Sequence, residues 1–208
     1  MKPVKVQNII FDWAGVISDN IQNVYQANMG VFAAKGVKRI SFDEFRDAWD
    51  QPYMLFYKNY LPDLTFEEES TIFRREIARC PLADPFPGIV DVVRALHKAG
   101  KYMIVISGDI KETIFPELKK FGLEHVFNDI IYDIHDKAKV IEGAIQRHSL
   151  SRPETIFIGD TGHEIKVGKK ENVLTGAVTW GYKREADLLK EKPDFVFRKV
   201  RELLLLLK

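Results

Sequence analysis

Short apolar runs rich in β-branched residues alternate along the chain with longer segments whose apolar positions recur every three or four residues. The runs Asn8–Asp12, Tyr102–Ser107, Asn128–Tyr132, Thr155–Asp160 and Gly176–Trp180 read as strands, and Asp194–Arg198 as a weaker one. Between them, Gly88–Ala99 sets Ile89, Val92, Val93 and Leu96 on one helical face, with Gly100 as a stop. Lys137–His148 does the same with Val140, Ile141, Ala144 and Ile145. Lys111–Phe121 is helical in pattern, and Pro116 within it predicts a kink or a late start. Strand and helix in alternation predict an α/β fold, a doubly wound parallel sheet covered on both faces.

Residues from about 20 to 85 break the alternation and read as helices throughout. Ser41-Phe42-Asp43-Glu44 and Thr65-Phe66-Glu67-Glu68 both fit the capping box, in which hydroxyl and carboxylate satisfy each other's backbone donors at a helix start. The block is rich in aromatics, among them Phe32, Phe45, Trp49, Tyr53, Phe56 and Tyr57, which predict a core of its own and part of a cavity wall. Pro81, Pro85 and Pro87 mark the return to the α/β part.

Composition narrows the classes. With 208 residues, 46% hydrophobic and 29% charged, the chain suits one large folded domain or a domain with an insertion. A formal net charge of +1 gives no strong field to draw in nucleic acid or a membrane surface, so neither is expected as a partner. Small anions remain open as ligands, because a few local donors can hold them. Cys80 is the only cysteine, which excludes an internal disulfide and a thiolate metal cluster and predicts a reducing, cytoplasmic setting. The opening MKPVKVQNII lacks a signal-peptide apolar core. The longest apolar run, Leu203–Leu207, is far too short to span a bilayer and reads as the end of a packed C-terminal helix.

Candidate chemistry sits where apolar strands end. Asp12 ends NIIFD before Trp13-Ala14-Gly15, Ser107 ends YMIVIS before Gly108, and Asp160 ends TIFIGD before Thr161-Gly162. In an open parallel sheet, ligands bind beyond the carboxyl ends of the strands, so these side chains should converge on one cleft. Two aspartates in one cleft repel each other unless a cation lies between them, and hard oxygen ligands suit magnesium. Ser107 and the amides after it can hold an anion at a helix N-terminus. A lysine would supply the remaining positive charge.

These residues resemble the haloacid dehalogenase-like hydrolase superfamily, in four places and in order. FDWAGV (Phe11–Val16) resembles the motif whose first aspartate is the nucleophile, here Asp12. VISG (Val105–Gly108) resembles the phosphate-binding motif, with Ser107 and Gly108. Lys137 falls where the family's phosphate-binding lysine is expected, at the head of the helix before the fourth strand, and Lys139 is its rival. IGDTGHE (Ile158–Glu164) resembles the acidic motif that holds magnesium, with Glu164 where an aspartate is more usual. The resemblance implies a Rossmann-like core over 1–18 and 86–208, a helical cap over 19–85, and a magnesium-dependent phosphatase acting on a small phosphorylated substrate. It implies metal contacts from Asp12, the backbone carbonyl of Ala14, Asp160 and Glu164.

Ala14 departs from the pattern. In the family's phosphatase branches the residue two after the nucleophile is usually an aspartate that protonates the leaving oxygen, and alanine supplies no such group. One branch that DWAG resembles, phosphonoacetaldehyde hydrolase, cleaves a carbon–phosphorus bond through a Schiff base on a cap lysine. The lysines available in the block are Lys35, Lys38 and Lys58, and Lys58 lies nearest the expected place. His163 and Asp19 are alternative proton carriers. A non-catalytic relative that binds a phosphorylated ligand or a protein partner is the third reading. His97, His125, His135 and His148 show no ligand spacing and read as ordinary surface or core residues.

Overall fold

The computed structural model describes residues 5–207, so the first four residues and Lys208 lie outside it. Strand β1 (Asn8–Phe11) leads through a short β2 (Ser18–Asp19) into four helices, α1 (Ile21–Ala34), α2 (Phe42–Ala48), α3 (Met54–Lys58) and α4 (Phe66–Ile77). The chain returns by β3 (Asp84–Pro85), which pairs antiparallel with β2. The order then runs α5 (Ile89–Lys98), β4 (Tyr102–Ile106), α6 (Lys111–Phe121), β5 (Asp129–Ile131), α7 (Ile141–Arg147), β6 (Thr155–Gly159), α8 (Gly162–Lys170), β7 (Leu174–Val178), α9 (Glu185–Lys190) and β8 (Phe195–Phe197).

The main sheet has the order β5-β4-β1-β6-β7-β8, and every neighbouring pair is parallel. The chain winds outward from β1 through β4 to β5, then crosses back to β6 on the other side of β1. The winding therefore reverses at β1, and a crevice opens there beyond the strand ends. The central strands are buried on both faces, which explains their unbroken apolar runs. Successive residues still divide between faces. Ile9, Phe11, Met103 and Val105 pack with Val92, Val93 and Leu96 of α5. Ile10, Ile104 and Ile106 pack with Ile141, Ala144 and Ile145 of α7.

The helices between β2 and β3 have their own aromatic core. Phe32 stacks on Phe56 with centroids 5.7 Å apart, and Phe45 meets Phe56 edge-on at 5.3 Å. Both expected capping boxes form, Ser41 with Glu44 at α2 and Thr65 with Glu68 at α4.

Several expectations are corrected. Lys137–His148 is not one helix: Lys137–Lys139 forms a 3₁₀ turn and α7 starts only at Ile141. The Asp136 side chain accepts from the Ala138 amide and tightens that turn. The C-terminal segment Val200–Leu207 is the packed helix expected, of the 3₁₀ kind, which sets Leu203 and Leu206, three apart, on the buried face and leaves Leu205 57% exposed. Strand β7 begins two residues earlier than its apolar pattern suggested, so that Gly176 pairs in mid-sheet opposite Ile158 and Phe195. Helix α6 already begins at Lys111 and contains Pro116, so the late start does not occur.

Candidate active site

The register of the central strands sets the site. Phe11 lies level with Val105 on one side and Ile158 on the other, so Asp12, Ser107 and Asp160 leave adjacent strand ends together. Asp12, Ser107, Lys137, Asp160 and Glu164 are all buried, Lys137 to 3% exposure. Lys137 reaches Asp12 Oδ2 at 2.6 Å and Glu164 Oε1 at 2.7 Å. The 3₁₀ turn thus aims Lys137 inward, whereas Lys139 stays exposed and faces Asp136 at 3.9 Å.

Each carboxylate is held differently. The Trp13 amide donates to Asp12 Oδ1 at 2.7 Å. Trp13 is itself fixed by stacking on Phe121 at 5.6 Å and by donating from its indole to Glu117 at 2.7 Å. That tryptophan anchors the turn that carries Asp12. The Tyr182 amide donates to Asp160 Oδ2 at 2.6 Å. Gly15, at φ +72°, and Gly181 let the backbone close on Asp160, since a Cβ at either would lie within 2.2 Å of its Oδ2. Glu164 caps α8: Thr161-Gly162-His163-Glu164 is a third capping box, with Thr161 hydroxyl and amide donating to Glu164 Oε2. Its spacing in the sequence is the one that marks α2 and α4.

Burial pushes the Asp12 carboxyl up to about 6, against the pull of Lys137. Asp160 is raised further by burial and by the charges of Asp12 and Glu164. Burial works against charge on Glu164 as well, yet Lys137 holds it below the usual range. Burial alone would lower Lys137, and its two carboxylate partners keep it above its ordinary value. Asp12, Asp160 and Glu164 bring oxygens within 4.8 Å of one another. Three carboxylates against one lysine leave the cluster short of positive charge, and the donor set is all hard oxygen. A divalent cation of the magnesium type fits both features.

Ser107 donates its hydroxyl to Asp109 Oδ2 at 3.0 Å and accepts from the Asp109 amide at 3.0 Å. Asp109 also accepts from Asn20 at 3.2 Å. Burial, Glu117 and Asp12 push Asp109 up to about 7, with Ser107 and Lys137 opposing. Sequence reasoning misses Asp109, although it stands two residues past the polar strand end.

The cleft above these groups has a cavity volume of about 90 Å³. Its floor includes Asp12, Ala14, Gly108, Asp109, Lys137 and Asp160, and the helical block supplies Asn28, Trp49, Tyr53, Glu69, Phe73 and Arg74. Two flanks hold block and sheet together. On one, Arg74 pairs with Asp133 at 2.5 Å and Glu112 at 3.2 Å, and Tyr53 bonds His135 at 3.0 Å. On the other, Arg46 donates to the carbonyls of Tyr182 and Gly181, and Lys183 to those of Arg46 and Asp47. His135, read from sequence as ordinary, lines the cleft. Among the described residues, Lys35, Lys38, Lys58, His163 and Asp19 do not line it. Lys58 is exposed, and Lys35 pairs with Glu68. Among the described residues, no lysine of the helical block therefore lines the cleft for a Schiff base.

The crevice where the sheet reverses its winding therefore holds a buried acidic cluster that could hold a metal ion. The family model for haloacid dehalogenase-like hydrolases matches residues 9–178, and the chain belongs to that family. Its curated relatives are of the phosphatase type. It is 24% identical to pyrophosphatase PpaX of Halalkalibacterium halodurans over 97% of this chain and 96% of that one. It is 32% identical to PpaX of Listeria innocua over 66% of this chain and 67% of that one. A haloacid dehalogenase-like hydrolase from Streptococcus pneumoniae shares the fold, with a TM-score of 0.84 and 24% identity, covering 98% of this chain and 99% of that one. Among the described residues no helix is long and apolar enough to cross a membrane.

Proposed function

We propose that this protein is a magnesium-dependent phosphatase for a small phosphorylated metabolite, working through an aspartyl-phosphate on Asp12. The observation that carries the reading is the Asp12–Lys137–Glu164 clamp beside Asp160 at the point where the sheet reverses its winding. Asp12 attacks the phosphorus in line, the bond to the leaving oxygen breaks, and water then hydrolyses the acyl phosphate and restores the carboxylate. Lys137, Ser107 and the Gly108 amide bind the transferring group and offset its charge. Asp12, the Ala14 carbonyl, Asp160 and Glu164 would hold magnesium, which supplies Lewis-acid stabilisation when bound. Residues 19–85 form the cap that shields the cleft from bulk water. The single cysteine supports a cytoplasmic setting.

Ala14 leaves the leaving oxygen without the usual proton donor. We assign that role to Asp109, which lines the cleft, is oriented by Ser107 and Asn20, and holds its proton up to about pH 7. The alternative carbon–phosphorus reading lacks a lysine in the cleft. The test is phosphate release from a broad panel of phosphate esters with magnesium and with a chelator. Release that stops on chelation supports the reading. No release from any member with magnesium present overturns it.

A further inference from the structure

The block side of the cleft offers acceptors and no free cation. Glu69 of α4 is 3% exposed and lines the cleft, where the hydroxyls of Tyr57 and Tyr53 face its carboxylate. Asn28 of α1 also lines the cleft; its Nδ2 donates to the Val24 carbonyl at 2.7 Å, which leaves Oδ1 buried and unpartnered. The cation that the block does bring to the cleft, Arg74, is already committed on every side. Its Nε donates to Ser70 at 3.2 Å, and its two terminal nitrogens to Glu112 and Asp133.

Buried polar atoms without partners are costly, and they persist where a ligand completes them. Acceptors are completed by donors. A carboxylate out of water also repels a second anion, and such juxtaposition discriminates by exclusion. Burial raises the Glu69 carboxyl to about 7, so near neutrality it can meet an ammonium as a carboxylate or a hydroxyl as either form.

On the reading of this chain as a phosphatase, we propose that its cap wall selects phosphate esters of small alcohols whose other end carries hydroxyl or ammonium donors and no negative charge. Glu69 and Asn28 receive those donors while the phosphate sits between Lys137 and Ser107. The specificity thus differs from that named for PpaX, whose leaving group is a phosphate anion.

The test compares kcat/KM for phosphoethanolamine and glycerol 3-phosphate with that for phosphoglycolate and pyrophosphate, in wild type and in Glu69→Gln. Wild type should prefer the first pair by about tenfold or more, and the shape-conserving variant should lose most of the preference for phosphoethanolamine. Equal or better turnover of phosphoglycolate or pyrophosphate overturns the proposal, as does a ratio unchanged in Glu69→Gln. If no ester is turned over, the phosphatase reading fails separately, and thermal shifts of the wild type with the same four compounds still decide the cap wall. Stabilisation by phosphoethanolamine that Glu69→Gln abolishes supports the selection. Stabilisation by the anionic pair alone, or by none of the four, overturns it.

Discussion

The two walls of the cleft are built on opposite plans. On the sheet side, Asp12, Lys137 and Glu164 are buried and mutually satisfied, and each is fixed by a neighbour in the chain or by a helix cap. On the helical side, Tyr57 and Asn28 are as deeply buried, yet each leaves a polar atom without a partner. A preorganised charge cluster suits a reaction step that recurs with every substrate. Unfilled acceptors suit the part of the ligand that varies. The protein thus separates the chemistry from the choice of what undergoes it.

Substitutions can break that division, beginning with the sheet side. Asp12→Asn keeps the shape but removes the nucleophile, and turnover of every ester should fall by about a thousandfold or more, with ester binding retained in calorimetry. Lys137→Met leaves two buried carboxylates without their shared cation. It should cost about 3 kcal/mol in urea unfolding as well as activity. Ala14→Asp should change kcat by no more than a few-fold, because Asp109 already supplies the proton; a rise of about tenfold or more would show that the role is vacant in the wild type.

The helical side should respond mainly through pH. Glu69 titrates near 7 in the folded protein against an ordinary 4.5, so the folded state binds this proton more tightly. Its contribution to stability is full below 4.5, is lost as pH rises towards 7, and stays lost above. Glu69→Gln should therefore be more stable than wild type at pH 8 by on the order of 2 kcal/mol, with the gap closing at pH 4.5 in paired melts. Asp109 should respond through pH as well. As a proton donor it works only below about 7, so kcat/KM should decline above neutrality. Asp109→Asn should lower the rate and flatten that decline. The groups that set this titration are Glu117 of α6, Asp12, Ser107, Lys137 and Asn20.

The sheet wall was legible and the helical wall was not, for a physical reason. Strands buried on both faces force apolar runs, so a polar residue at a run's end, such as Asp12 or Asp160, stands out. Lys137 emerged only through resemblance, because a 3₁₀ turn has no apolar period to announce it. Glu69 lies in Glu67-Glu68-Glu69, where composition gives no sign that the third carboxylate turns inward while Glu68 caps the helix. Asn28 looks like any polar residue in a helix until its neighbours are known. Helices that fold back over a cleft bring together residues from distant turns, and only the packing of α1 against α4 chooses which of them meet.

The three tryptophans happen to divide the molecule into reporting zones. Trp13 stacks beneath the turn that carries Asp12, Trp49 meets Tyr182 where the helical block rests on the sheet, and Trp180 packs on Phe86 beside the β2–β3 pair. Variants that retain one indole at a time would turn intrinsic fluorescence into separate optical channels for the reaction centre, the seam and the strand pair. Events at the three places could then be timed apart without attaching a label.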